Sequence, residues 1–284
     1  MCRILVMANP EKIIPDNYAA RMAAAFKTLS AGGNSDACGF AVYKKDGRLA
    51  YVRMPVPCAA LGTYLYNKHP STLEELVKDT RYLLVHARKA TKGSPLENVN
   101  NHPFCDKKTK TCLIHNGGVS ISSADDKHFT ILCGRLGCPE TDSAELLASI
   151  LVLSKGPLLE RARKAFEKFR GKASVAVADP RELVYTVNEK ATIYVGIGKE
   201  AFIAATHNNT IKALTNLRHE VITSAELIKM KKNTPNTPKI YFMPSTLTVH
   251  YVKGELGYID FEPLIEAEKY TYKYYKYYGY TTSK

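Results

Sequence analysis

The sequence predicts an α+β fold in which two sheets of mainly antiparallel strands pack with helices. Three observations predict it. Short apolar or alternating segments separated by turn residues fill both ends of the chain, two helical patterns stand together in the middle, and strands and helices do not alternate as a parallel sheet would require. The residues alone leave open whether the helices lie outside the two sheets or between them.

Taken in order, Met1-Cys2-Arg3-Ile4-Leu5-Val6-Met7-Ala8 reads as an apolar strand, and Asp16 to Leu29 carries apolar residues at helical spacing after Pro15-Asp16. Cys38 to Lys44 and Arg48 to Met54 read as a hairpin about Asp46-Gly47. Leu73 to Lys78 is expected to be a short helix and Tyr82 to His86 a buried strand. Ala87 to Phe104 has no period and is read as a long loop of the kind that carries function. Thr111 to His115 and Val119 to Ser122 are expected as two strands flanking Asn116-Gly117-Gly118. Thr141 or Asp142 caps a strongly apolar helix from Asp142 to Leu153, and Leu158 to Phe169 follows as an amphipathic one. Strands are expected at Ala173 to Ala178, Leu183 to Asn188, Thr192 to Val195 and Ala201 to Thr206. A short helix from Ser224 to Lys231 precedes strands at Ile240 to Met243, Thr246 to Val252 and Leu256 to Phe261. The chain divides into residues 1–262, one large domain, and a Tyr- and Lys-rich tail, 263–284.

The 284 residues, 45% hydrophobic, can bury a sizeable core. No apolar run approaches the ~18–20 residues of a membrane span, and Glu11, Lys12 and Asp16 break any secretory signal pattern, so a soluble, cytoplasmic protein is expected. The net charge of +13 is dispersed, which reads as a solvated basic surface. The tail from Tyr270 to Tyr280 could stack on single-stranded nucleic acid or a partner protein, with surface docking or disorder the blander reading. The seven cysteines are not expected to form a disulfide framework, because the chain is long and lacks a signal peptide. Cys105 with Cys112 and Cys133 with Cys138 lack C-x-x-C spacing, so neither a metal nor a cofactor is expected.

Chemistry is expected at Cys2. A cysteine there permits removal of Met1, which would leave a free α-amine on the thiol-bearing residue. An α-amine titrates near ~7.7–8.0 and a thiol near ~8.5, so a base and a nucleophile would share one residue. Three motifs lie downstream. They are His86-Ala87-Arg88-Lys89-Ala90-Thr91-Lys92-Gly93 with Glu97-Asn98 and His102-Pro103-Phe104 beyond it, His115-Asn116-Gly117, and Thr141-Asp142-Ser143-Ala144-Glu145.

In this order behind Cys2, and with Ser35-Asp36-Ala37-Cys38-Gly39-Phe40 and Gly171-Lys172-Ala173 followed by Val175 to Asp179, these motifs resemble the glutaminase domain of class II glutamine amidotransferases. Those are N-terminal-nucleophile hydrolases, and the form of the motifs is closest to the small stand-alone members. The resemblance implies a four-layer αββα sandwich and a substrate that is glutamine or a γ-glutamyl amide. It also implies a separate synthase subunit as a candidate acceptor of ammonia. Cys2 would be the nucleophile. The Asn116 side chain and the Gly117 backbone N–H would form the oxyanion hole. Arg88 would hold the substrate carboxylate, Asp142 its ammonium, and Thr91 would shape the pocket. Lys92 stands where many members have a histidine, and Asn34 stands near the place of an arginine of synthase-linked members. His86 and His102 are read as structural.

Overall fold

The computed structural model describes residues 2–122, 124–188, 193–217, 219–221, 233–236, 239–243, 246–260 and 262–267. Met1, the helix expected at Ser224 to Lys231 and the tyrosine-rich tail lie outside the described residues.

Two sheets lie face to face, with helices on both outer faces. The first has eight strands. At its centre β1 (Arg3–Ala8) pairs antiparallel with β4 (Thr80–Arg88) on one side and β10 (Phe202–Ala205) on the other. Beyond β4 lie β2 (Ala37–Lys44) and β3 (Leu49–Met54). Beyond β10 lie β9 (Ile193–Ile197), β12 (Lys239–Met243) and β11 (His219–Val221). The second sheet has six strands: β5 (Phe104–Asp106), β6 (Thr111–Ile121), β7 (Phe169–Ala178), β8 (Glu182–Val187), β13 (Leu247–Val252) and β14 (Glu255–Asp260), neighbours in that order. Every pairing among the described strands is antiparallel except β11 with β12. The layered α+β fold of the sequence reading therefore holds, with the helices outside.

The apolar pattern explains the layers. Strand β1 is buried on both faces, which is why it reads as a continuous apolar run rather than an alternating one. Ile4 and Val6 enter the core between the sheets, whereas Leu5 and Met7 pack on the helices α1 (Tyr18–Ser30), α2 (Cys58–Lys68), α3 (Pro70–Glu75) and α7 (Asn208–Leu214). On the second sheet, Leu113, Val175 and Val177 face α4 (Asp126–Leu136), α5 (Asp142–Val152) and α6 (Leu158–Phe166). Leu264 and Ile265 join this outer core and Asn188 donates to Ile265 O, so the packed body continues past residue 262 as far as Glu266.

Tyrosines close one end of the space between the sheets. Tyr43 of β2 donates to Ala178 O of β7 at 2.7 Å, and Tyr82 of β4 donates to Arg181 O at 2.8 Å. A buried phenol with a partner keeps its apolar area without leaving a polar atom unmet. Such bonds stitch the sheets at the end where β4 begins. At the other end β1 starts and β4 finishes, and polar residues replace the tyrosines.

Several expected elements change. Asn116-Gly117-Gly118 is not a turn between two strands; β6 runs straight through it, with Asn116 opposite Ser174 and Gly117 opposite Ala173. The amphipathic helix stops at Phe166, and Phe169 already begins β7. Helices α2, α4 and α7 were not expected. They are held largely by other helices, α2 and α7 by α1 and α4 by α5, which local spacing does not reveal.

The expectation about cysteines is overturned. Cys38 bonds Cys58, Cys105 bonds Cys112, and Cys133 bonds Cys138, which leaves Cys2 as the free thiol. The pairings follow from the fold. Cys105 and Cys112 sit directly across the β5–β6 ladder, and the left-handed Gly137 turns the end of α4 back so that Cys138 meets Cys133. Alkylation of the unfolded, unreduced protein is expected to label one cysteine, and all seven after reduction, as read by intact mass. Labelling of more than one before reduction would remove at least one of these bonds.

Candidate active site

Five of the six expected site residues gather at the polar end of the sandwich. Lys89 N–H donates to Cys2 Sγ at 3.4 Å, and the thiol lies 3.4 Å from Lys89 O, its acceptor. This seats Cys2 beside the end of β4, one residue past Arg88. His86, two residues back on the same face of β4, reaches across to His115 O of β6 at 3.1 Å. That contact brings the His115-Asn116-Gly117 stretch to the same end of the inter-sheet space. Asp142 opens α5 behind its Thr141 cap and accepts from Val119 N–H at 2.9 Å, so it lies against the same strand just beyond Gly118.

The electrostatics agree with this placement. Burial pushes the Cys2 thiol above its usual range and outweighs the opposing pull of the Lys89 N–H and Arg88; Asp142 adds to the upward shift. A thiol in that condition rests protonated, so it needs a neighbouring base to become a nucleophile. Arg88 is almost fully buried. Its Nη1 donates to Asn101 Oδ1 at 2.8 Å, and its Nη2 donates to Gly93 O at 2.9 Å and to Lys92 O. The guanidinium is thereby fixed by the loop after β4, with Nε and one Nη1 proton left over from its five donors.

Asn116 is buried, and its Oδ1 has no hydrogen-bond partner. Among the described residues, nothing holds its side-chain amide. Gly117 has φ +149°, and a Cβ added there would lie 2.0 Å from Lys172 O. Only glycine lets β6 and β7 stay paired at this point, which keeps the backbone beside Asn116 bare. Thr91 differs from the other five. It is exposed in the loop after β4, and no hydrogen bond ties it to them.

Residues that the sequence reading passed over complete the frame. Asn101 donates to Pro95 O at 2.7 Å while accepting from Arg88, so it staples the long loop to the guanidinium. Asp36 Oδ2 accepts from Ala90 N–H at 2.7 Å, and Asp36 N–H donates to Arg88 O. The Ser35-Asp36 turn therefore braces the strand end that carries Arg88. Ser143 Oγ lies 3.1 Å from His115 Nδ1 and 3.4 Å from Asp142 Oδ1. Asn188 accepts from Ala173 N–H and donates to Gly171 O, which holds β7 in its path opposite Gly117. The signal for Asn101 was its place in an Asn-rich loop directly before His102. Asp36 and Ser143 stand inside the sequence motifs, though no role was attached to them, and Asn188 carries no local signal.

Beneath the site, His86 stacks on His102 with ring centroids 3.8 Å apart. Burial pushes His86 down to about 3, and lowers His102 and His115 as well. All three are uncharged near neutral pH, so Arg88 is the buried cation at this end of the sandwich among the described residues. The structural reading of His86 and His102 agrees with their position below the site.

Two facing sheets with helices on both outer faces form the four-layer αββα sandwich that the motifs implied. No family model and no curated protein matches the sequence. Solved structures do match. One is a glutamine phosphoribosylpyrophosphate amidotransferase from B. subtilis in complex with ADP and GMP, 12% identical, with a TM-score of 0.59 over 93% of this chain. Another is described as the allosteric regulatory enzyme of purine biosynthesis, also 12% identical, with a TM-score of 0.57. This chain spans about half, 49%, of the length of each. No described helix is long and apolar enough to cross a membrane.

Proposed function

We propose that this protein is a cysteine-nucleophile amidohydrolase that releases ammonia from the side-chain amide of glutamine, in the manner of the class II glutamine amidotransferases. The observation that carries this reading is the convergence of Cys2, Arg88, Asn116, Gly117 and Asp142 at one end of the sandwich. The shared fold with a glutamine amidotransferase supports it.

In this reading Met1 is removed and the α-amine of Cys2 takes the thiol proton. The thiolate attacks the amide carbonyl, and a carbon–sulfur bond forms. Asn116 Nδ2–H and the Gly117 N–H meet the oxyanion, a contribution typically worth about 10²–10³ in rate per donor. The tetrahedral intermediate collapses, the carbon–nitrogen bond breaks, and the leaving nitrogen departs as ammonia with the proton the α-amine had taken. Water then cleaves the thioester at Cys2 and regenerates the thiol. The remaining Arg88 donors face the substrate carboxylate, and Asp142 faces its ammonium. Thr91 contributes to the mouth of the pocket only when the loop after β4 closes over substrate.

The catalytic unit extends through the packed residues as far as Glu266, and the ammonia passes to a separate acceptor subunit or to solvent. Three disulfides persist in oxidising compartments or in the cytosol of hyperthermophiles. A cytoplasmic location fits them in the second setting.

Intact mass of the native protein, paired with ammonia assays on glutamine and on γ-glutamyl amides, tests this reading. A chain beginning at Cys2 that hydrolyses glutamine is the expected result. Hydrolysis of γ-glutamyl amides alone would move the substrate, and a retained Met1 in an active protein would remove the α-amine as base.

A further inference from the structure

We propose that the mouth between the edge strands β3 and β5 binds a phosphate-bearing small molecule, at a site separate from the Cys2 centre. A cavity of about 480 Å³ opens there, within the roughly 300–1,000 Å³ of ordinary ligand pockets. Four cationic side chains line it, Arg53, Lys107, Lys108 and Arg135, against a single carboxylate, Asp106.

That carboxylate is already engaged. Arg135 Nε donates to Asp106 Oδ1 at 2.9 Å and Thr109 N–H donates to Asp106 Oδ2 at 2.7 Å. Burial works against ionisation of Asp106, yet these bonds outweigh it and hold the carboxyl below its usual range. Asp106 therefore neutralises Arg135 and leaves the other three cations uncompensated. Among the described residues no carboxylate pairs with Arg53, Lys107 or Lys108.

Arg53 is the informative member. It is half-buried, and its one hydrogen bond runs from Nη1 to Asn101 O at 3.3 Å. A guanidinium drawn into the protein without an anion is costly, and its free edge matches a phosphate in a bidentate grip. Lys107 and Lys108 stand on the β5–β6 turn and reach the same opening as flexible point charges. Tyr51, Val99 and Leu136 supply an apolar wall, so the ligand carries a flat or apolar body behind its phosphate. Asn101 separates the two sites. Its backbone carbonyl meets Arg53 and its side chain meets Arg88. The site stands whether or not the protein hydrolyses glutamine.

Calorimetric titration of the full chain with inorganic pyrophosphate tests the proposal, with citrate as the carboxylate control. One pyrophosphate per chain is expected to bind, more tightly than citrate. Affinity is expected to fall at least about tenfold in Arg53→Gln and in the double variant Lys107→Gln, Lys108→Gln. The two lysines are exposed, so the double variant keeps its fold, checked by its melting temperature. A chain of net charge +13 also gathers anions diffusely, so stoichiometry decides. Absence of saturable binding, several equivalent sites, citrate binding as tightly, or an affinity that either variant leaves unchanged would overturn the assignment.

Discussion

Cys2→Ala is expected to lower ammonia release from glutamine by about 10⁴-fold or more, and to leave the melting temperature within a few degrees of the parent. The two halves of this expectation have different causes. In the proposed mechanism the thiol forms the covalent intermediate, and groups that work as one unit lose nearly everything when the nucleophile goes. Alanine at position 2 still permits removal of Met1, so the α-amine, Arg88, Asn116 and Asp142 all remain. What survives is the residual effect of binding and the oxyanion donors. The fold loses little because Cys2 precedes β1 and is only half-buried. Its sulfur meets just the backbone of Lys89, a contact worth about 1 kcal/mol. Cys2→Ser separates nucleophile from base further. Burial already raises the thiol, and a hydroxyl starts far higher, so the α-amine cannot deprotonate it as readily and activity falls well below the parent. Ammonia release by the alanine variant at the parent rate would sink the covalent mechanism, while circular dichroism melts would show whether the fold had changed.

The chain's local chemistry made the strands and the site motifs legible, but not what long-range packing adds. Strand β1 reads as an apolar run because both of its faces are covered, and the Asp46-Gly47 hairpin and the Thr141 cap announce themselves within a few residues. Arg88, Asn116 and Asp142 lie 28 and 26 residues apart, and Cys2 is 86 residues before Arg88. Only a resemblance, not periodicity, brought them together in advance. The Asn-Gly pair misled because its usual meaning is a turn. Here the glycine serves a tight pairing with β7, which depends on Lys172 and Asn188 far along the chain. Disulfides were missed for a similar reason. Spacing cannot show that Cys38 and Cys58 meet, since it does not reveal that α2, packed on Phe26 of α1 at Gly62, lies beside β2. The Asn-rich loop marked Asn101, but a loop without period gives no register from which to predict its contact with Arg88.

Asn116→Ala and Gly117→Ala are neighbours in sequence, yet they are expected to fail in opposite ways. At Asn116 the side chain has no hydrogen bond among the described residues, and its Oδ1 is buried without a partner. Truncation removes an unsatisfied acceptor together with the proposed oxyanion donor, so stability should change by less than about 1 kcal/mol. The rate of glutamine hydrolysis should fall about 10²–10³-fold, carried by kcat rather than KM, because the donor acts only once charge develops on oxygen. At Gly117 the added methyl meets Lys172 O at 2.0 Å in a backbone with φ +149°. The clash is with main chain on the partner strand, so no side-chain rotation relieves it, and β6 or β7 must leave its path. Steric overlap and left-handed strain together should cost about 3–5 kcal/mol, measured by chemical denaturation. Loss of the β6–β7 ladder would also move Asn116, so this variant loses activity through the fold. A Gly117→Ala protein as stable as the parent would mean that the close approach to Lys172 is absent. An Asn116→Ala protein with parental kcat would remove the oxyanion role while leaving the rest of the cysteine mechanism in place.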